Sequence, residues 1–165
     1  IPIIMYNVPG RTGTNLQPAT AVKIAKSVDN IVAIKEASGD IGQVETLAAL
    51  ADGCLDIYSG NDDQVVPLLA LGGKGVISVL SNVAPRETHD MVMKFLVGDV
   101  KGSLAIQLKY MDVIHNLFSE VNPIPAKRAV SEMGYCRNIV RRPLTEMEED
   151  HAQVLINAMK EAGIL

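Results

Sequence analysis

Four short β-branched apolar runs, Ile3 to Tyr6, Ile31 to Ile34, Leu55 to Tyr58 and Val76 to Val79, each lead through a polar or glycine-bearing loop into a helical pattern. This alternation constrains the fold more than any other feature. Parallel strands need a crossover of a dozen or more residues, usually a helix, and strands covered on both faces read as continuous apolar runs. The helical patterns cover Pro18 to Ser27, with Val22 and Ala25 on one side, Ile41 to Ala51, with Val44, Leu47, Ala48 and Ala51, and Asp63 to Leu71. An α/β fold with a parallel sheet is expected.

Beyond the fourth run the pattern becomes helical, over Pro85 to Leu96, Asp99 to Leu117, Ile124 to Met133 and Thr145 to Ala162. Thr145 and Glu148 form a T-x-x-E capping box that opens the last helix, and Gly163 closes it. The acidic run Glu146 to Asp150 suits the positive end of that helix, so it reads as capping and solvation. Hydrophobic residues make up 48% and charged residues 21%, which excludes disorder, collagen-like repeats and disulfide miniproteins. A formal charge of -4 and few aromatics exclude a nucleic-acid footprint. No apolar run approaches the ~20 residues of a membrane helix and nothing resembles a signal peptide, so no membrane partner is expected and the protein is read as soluble and cytoplasmic. Cys54 and Cys136 lack zinc or redox spacing and are expected to be buried structural thiols.

Four parallel strands fit either a doubly wound sheet or half of a (β/α)8 barrel. No strand is followed by G-x-G-x-x-G, and the glycine-rich stretch Gly72 to Gly75 precedes a strand, where a helix C-cap and tight turn explain it. Catalysis in such folds sits at the carboxyl ends of the strands. Lys35 ends the second apolar run. Burial disfavours an ammonium, and a neutral amine can attack a carbonyl to form a Schiff base. The alternatives are a solvated lysine or a pair with Glu36. Tyr6, at the end of the first strand, could relay protons or simply cap the core. Arg11 lies on a loop with Pro9, Gly10 and Gly13, and its planar fork fits a carboxylate, unless it is an ordinary surface arginine. Together these three suggest an acidic, carbonyl-bearing substrate. Asp62 and Asp63 read as a helix start. His89, His115 and His151 have no ligand spacing, so no metal is required.

The segments YNVPGRTG, IVAIKEAS, YSGND, GGKGVISVLSN and NPIPAK occur in this order, and from end to end the chain resembles the dihydrodipicolinate synthase family of pyruvate-dependent class I aldolases and lyases. The resemblance implies the C-terminal half of a TIM (β/α)8 barrel, strands 5–8, over residues 1–97, and a C-terminal helical region over residues 98–165. IPIIMY is then the fifth strand. It further implies condensation of pyruvate with L-aspartate 4-semialdehyde in lysine biosynthesis, with no cofactor and with a homotetramer as the assembly. Lys35 matches the Schiff-base lysine, Tyr6 the proton-transfer tyrosine and Arg11 the arginine associated with the semialdehyde carboxylate. Ile77 matches the position whose carbonyl lies beside bound pyruvate, and Gly60 lies at the same mouth. The RTG ending favours the synthase over N-acetylneuraminate or sugar-acid lyases, which share the tyrosine and lysine. Because half a barrel leaves strand edges and apolar faces open, 165 residues alone are expected to be inactive, and a non-catalytic oligomerisation element is the alternative of another class.

Overall fold

The computed structural model describes all 165 residues, which divide into two compact units, Ile1–Ser78 and Val79–Leu165. In the first, β1 (Ile3–Asn7) leads through a single helical turn, α1 (Pro9–Thr12), into α2 (Pro18–Ser27). Strand β2 (Ile31–Glu36), α3 (Ile41–Ala51), β3 (Asp56–Ser59), a 3-10 turn (Asp62–Gln64), α4 (Val65–Ala70) and β4 (Gly75–Val76) follow. All three strand pairings are parallel and the order is β1-β2-β3-β4. This is the α/β fold with a parallel sheet that the alternating pattern requires.

The core of this unit forms where the sheet meets its helices: Ile34 and Ile57 pack with Ala21 and Val22 of α2 and with Val44, Leu47 and Ala51 of α3. Fully burying one such Leu or Ile stabilises by about 1.5–3 kcal/mol. Helix α3 starts at Asp40, whose carboxylate accepts the Gln43 N–H at 3.1 Å. Strand alternation sends the intervening residues to the other face, which is open: Ile4 is 47% and Tyr6 51% exposed.

The fourth strand and the two cysteines depart from the sequence expectation. The fourth strand is only Gly75–Val76, although the Ile77 N–H still reaches the Ser59 carbonyl at 2.9 Å. By Val79 the backbone is helical (φ -86°, ψ -40°), so the β-branched run continues into a 3-10 turn at Leu80–Asn82. Cys54 is exposed and Cys136 only half-buried, so neither is the buried thiol expected. After Gly53, with φ 79°, it is Leu55 that takes the buried position. Gly72 to Lys74 lies between α4 and β4, which Gly75 opens, and Gly72, with φ 89°, makes the left-handed turn there.

The second unit contains α5 (Pro85–Leu96), α6 (Val100–Lys109), α7 (Met111–Asn116), α8 (Ile124–Glu132) and α9 (Glu149–Ala162). Helix α5 packs on α6, and α7 and α8 both pack on α9. The span expected as one helix from Asp99 to Leu117 breaks at Tyr110, which ends α6 and starts α7. No proline or glycine marks this break. It lets Tyr110, Val113, Ile114 and Leu117 all be buried, so packing overrides local propensity.

Helix α9 begins at Glu149, and the Thr145/Glu148 capping box does not form. Glu120 replaces it: its Oε1 accepts the Glu148 N–H at 3.0 Å and lies 2.8 Å from His151 Nδ1. Glu149 instead pairs with Arg128, which also holds Glu132. Burial pulls the Arg128 guanidinium down, but Glu149 and Glu132 together raise it.

Asp99 caps α6 by accepting the Gly102 N–H at 2.9 Å, and it takes a 3.0 Å bond from Lys94 Nζ. The Lys94 hydrogen bond, then the Gly102 N–H, hold its carboxyl below the usual 3.8. A lowered value means that the stabilisation is complete above the ordinary carboxylate range and is lost as pH falls through the lowered one. Asparagine caps equally well but cannot titrate. Asp99→Asn should therefore melt below wild type at neutral pH, and the gap should close in acid. A gap that persists in acid would remove the Lys94 contact from this role.

Candidate active site

The parallel register aligns two rows of residues at the carboxyl ends of the strands. On the open face, Tyr6 pairs with Lys35, Lys35 with Tyr58, and Tyr58 with Gly75. One step further, on the helix-covered face, Asn7 pairs with Glu36 and Glu36 with Ser59. Period-2 alternation makes these rows chemically separate, although they are adjacent in sequence.

Lys35 is half-buried, and its Nζ stands 4.4 Å from the centroid of the Tyr6 ring. The amine therefore lies over the aromatic face rather than on the phenol oxygen, a contact worth about 0.5–1 kcal/mol at an open site. Gly60 makes room for the lysine. A Cβ there would lie 2.9 Å from Lys35 Cε, 2.6 Å from Ala37 Cβ and 3.2 Å from the Glu36 carbonyl. The loop is held rigidly: the Gly60 N–H donates to Glu36 O at 2.7 Å, and the Asn61 N–H donates to Ser59 Oγ at 3.1 Å.

Glu36 is not a partner for Lys35. It points to the opposite face, is only 3% exposed, and its carboxylate accepts the Ser38 N–H at 2.7 Å and Asn7 Nδ2 at 3.0 Å. Arg11 lies on α1, a single turn made by the Thr12 N–H to Val8 O and the Gly13 N–H to Pro9 O, with Gly13 left-handed at φ 68°. Ile77, 40% exposed, is tied by its N–H to Ser59, one residue before Gly60. The fold thus brings Tyr6, Lys35 and Gly60 together, places Ile77 beside the Gly60 loop, and sets Arg11 on the turn that leaves β1.

Two features of the site do not stand out in the sequence. Tyr58 is in register with Lys35 on the same face, and its place at the end of the third apolar run is the signal that points to it. The buried Asn7 and Glu36 are the other, since they fall just past the apolar runs that mark the first two strands. No group of three or more His, Cys, Asp or Glu side chains is arranged to hold a metal ion. No helix is long and apolar enough to cross a membrane.

Known proteins share both sequence and shape with this chain. The 4-hydroxy-tetrahydrodipicolinate synthase of Lachnoclostridium phytofermentans is 58% identical over all 165 residues, and that of Clostridium tetani is 51% identical over 155. These matches cover 56% and 53% of the two relatives, so the chain spans about half the length of the curated relatives it matches. The crystal structure of dihydrodipicolinate synthase from Thermotoga maritima superposes with a TM-score of 0.98 at 41% identity, over 100% of this chain and 57% of the other. That from Cyanidioschyzon merolae with lysine bound superposes with a TM-score of 0.95 at 40% identity, over 100% of this chain and 56% of the other. Residues 1–162 match the Dihydrodipicolinate synthetase family, and with the whole α/β unit and its row of strand-end groups inside the match, the chain belongs to that family.

Proposed function

We propose that this chain supplies the Schiff-base half of a 4-hydroxy-tetrahydrodipicolinate synthase, an aldolase-type lyase that condenses pyruvate with L-aspartate 4-semialdehyde. The observation that carries the reading is the placement of Lys35 beside Tyr6 at the carboxyl ends of adjacent parallel strands. Lys35 Nζ attacks the keto carbon of pyruvate, and loss of water from the carbinolamine gives an iminium. The iminium withdraws electrons, a methyl proton leaves, and the enamine attacks the aldehyde carbon of the second substrate. Tyr6 moves protons during formation and breakdown of the carbinolamine. Arg11 binds the carboxylate of the semialdehyde, the Ile77 carbonyl lies beside pyruvate, and Gly60 keeps the space that the lysine tip occupies. The lysine supplies the electrophilic nitrogen, so the step needs no cofactor.

In this reading β1 to β4 are strands 5–8 of a (β/α)8 barrel, residues 98–165 form the C-terminal helical region, and the assembly is a homotetramer. The open sheet face with exposed Ile4 and Tyr6 supports it, because barrel closure covers such a face and removes strand edges. The test is a chimera that joins these residues to the unmatched portion of the L. phytofermentans relative. Treatment with pyruvate and borohydride should add mass at Lys35, and absence of that adduct would sink the reading. Turnover of aspartate semialdehyde but not of N-acetylneuraminate would support the synthase over the sugar-acid lyases.

Arg11→Ala in the chimera should raise KM for the semialdehyde by about tenfold or more, the cost of a lost hydrogen bond to a charged group. The pyruvate adduct should form as before. Equal loss of both would remove Arg11 from the carboxylate role.

A further inference from the structure

Behind the reactive row lies a buried polar network. Asn7, 1% exposed, satisfies its whole amide: Nδ2 donates to Glu36 Oε2 at 3.0 Å and to Asn15 Oδ1 at 2.9 Å, and Oδ1 accepts the Leu16 N–H at 2.9 Å. Asn15 and Gln43 exchange amide bonds at 2.8 and 3.1 Å, and Gln43 Nε2 reaches Glu36 Oε2 at 3.5 Å. Three donors thus converge on Glu36, from Asn7, Gln43 and the Ser38 N–H. Only an acceptor-only carboxylate satisfies them all. Taking such a group out of water is costly, and apolar residues of similar size could fill the site more cheaply.

The connections of the network indicate what it does. Backbone bonds already fix the strand ends, since the Ala37 N–H donates to Asn7 O at 2.9 Å and the Gly60 N–H to Glu36 O. Lys35 and Tyr6 therefore keep their register without these side chains. The side chains instead hold the base of the turn that carries Arg11: Asn7 grips Asn15 and Leu16, where that segment returns to α2, and Glu36 fixes which way the Asn7 amide faces.

We infer that Asn7, Glu36 and Asn15 are positioning residues that set affinity for the second, carboxylate-bearing substrate by holding the Arg11 turn, and that they take no part in forming the pyruvate Schiff base. This rests on the proposed synthase reading. Pyruvate carries its own carboxylate but is captured at Lys35, on the strand that backbone bonds hold. The second substrate depends on a turn that backbone bonds shape but that side chains tie down where it returns to the sheet, at Asn15 and Leu16.

The same chimera tests the inference with Glu36→Gln, Asn7→Ala and Asn15→Ala. Glutamine at position 36 brings an N–H2 into a cluster of donors, so that variant and Asn7→Ala could unfold. Asn15 is exposed, and its alanine variant decides the matter if they do. Each folded variant should raise KM for the semialdehyde by about tenfold, while borohydride-trapped pyruvate at Lys35 stays within about twofold of the parent. In an Arg11→Ala background the KM increments should vanish, because the turn then presents nothing to position. An unchanged KM in Asn15→Ala would overturn the inference. So would adduct formation that falls in step with KM, or increments that persist without Arg11. Absence of adduct in the parent chimera is a separate result: it defeats the synthase reading and takes this inference with it.

Discussion

Replacing Lys35 with arginine will abolish turnover in the chimera while leaving the fold intact. The guanidinium preserves the positive charge over the Tyr6 ring, a contact seen at 4.4 Å with the native amine, so stability should change by less than about 1 kcal/mol. A guanidinium does not form the iminium, and loss of a covalent nucleophile costs on the order of a thousandfold or more. The expected result is unchanged melting, no borohydride adduct and no measurable condensation. Turnover retained within about tenfold would show that Lys35 is not the nucleophile.

The second large effect is expected at Gly60. An alanine there would set its Cβ 2.6 Å from Ala37 Cβ and 2.9 Å from Lys35 Cε. Ala37 and the nearby Glu36 carbonyl belong to the backbone-bonded end of β2 and cannot retreat easily, whereas the lysine tip can. Overpacking of this kind costs about 1–3 kcal/mol, which lowers Tm by about 2–4 °C per kcal/mol in a domain of this size. The displaced amine should slow adduct formation by about a hundredfold, the penalty for an ångström-scale misplacement of a reacting group. Gly60→Ala with wild-type adduct kinetics would mean that the glycine serves only the turn.

The legible parts of the fold were those set by local periodicity. The first three strands and the helices α2, α3, α5 and α8 follow from apolar spacing, because each buries the face that its own pattern defines. The misplaced boundaries are those decided by distant residues. Nothing near Thr145 reveals that Glu120 will cap α9, and nothing near Tyr110 reveals that burial of four side chains will break a long helix. The candidate site divides in the same way. Lys35 and Tyr6 stand out as polar groups at the ends of apolar runs, whereas the meaning of Glu36 depends on which sheet face it occupies. One position of alternation turns an apparent ion-pair partner of Lys35 into the anchor of a separate network. The exposure of Cys54 is different, since its immediate neighbours decide it: Gly53 turns the backbone and Leu55 takes the buried position.

The sheet order β1-β2-β3-β4 has a kinetic consequence. Every pairing within this sheet joins segments separated by a single crossover. The loop-closure entropy at each step is that of one crossover and grows only slowly with its length. The sheet can therefore grow strand by strand in the order of synthesis, with β1 and β2 already paired while β4 is still being made. In the finished unit, the amides of β2 and β3 are flanked on both sides and should exchange with solvent most slowly. Lys35 thus lies on a strand that is early to pair and late to open.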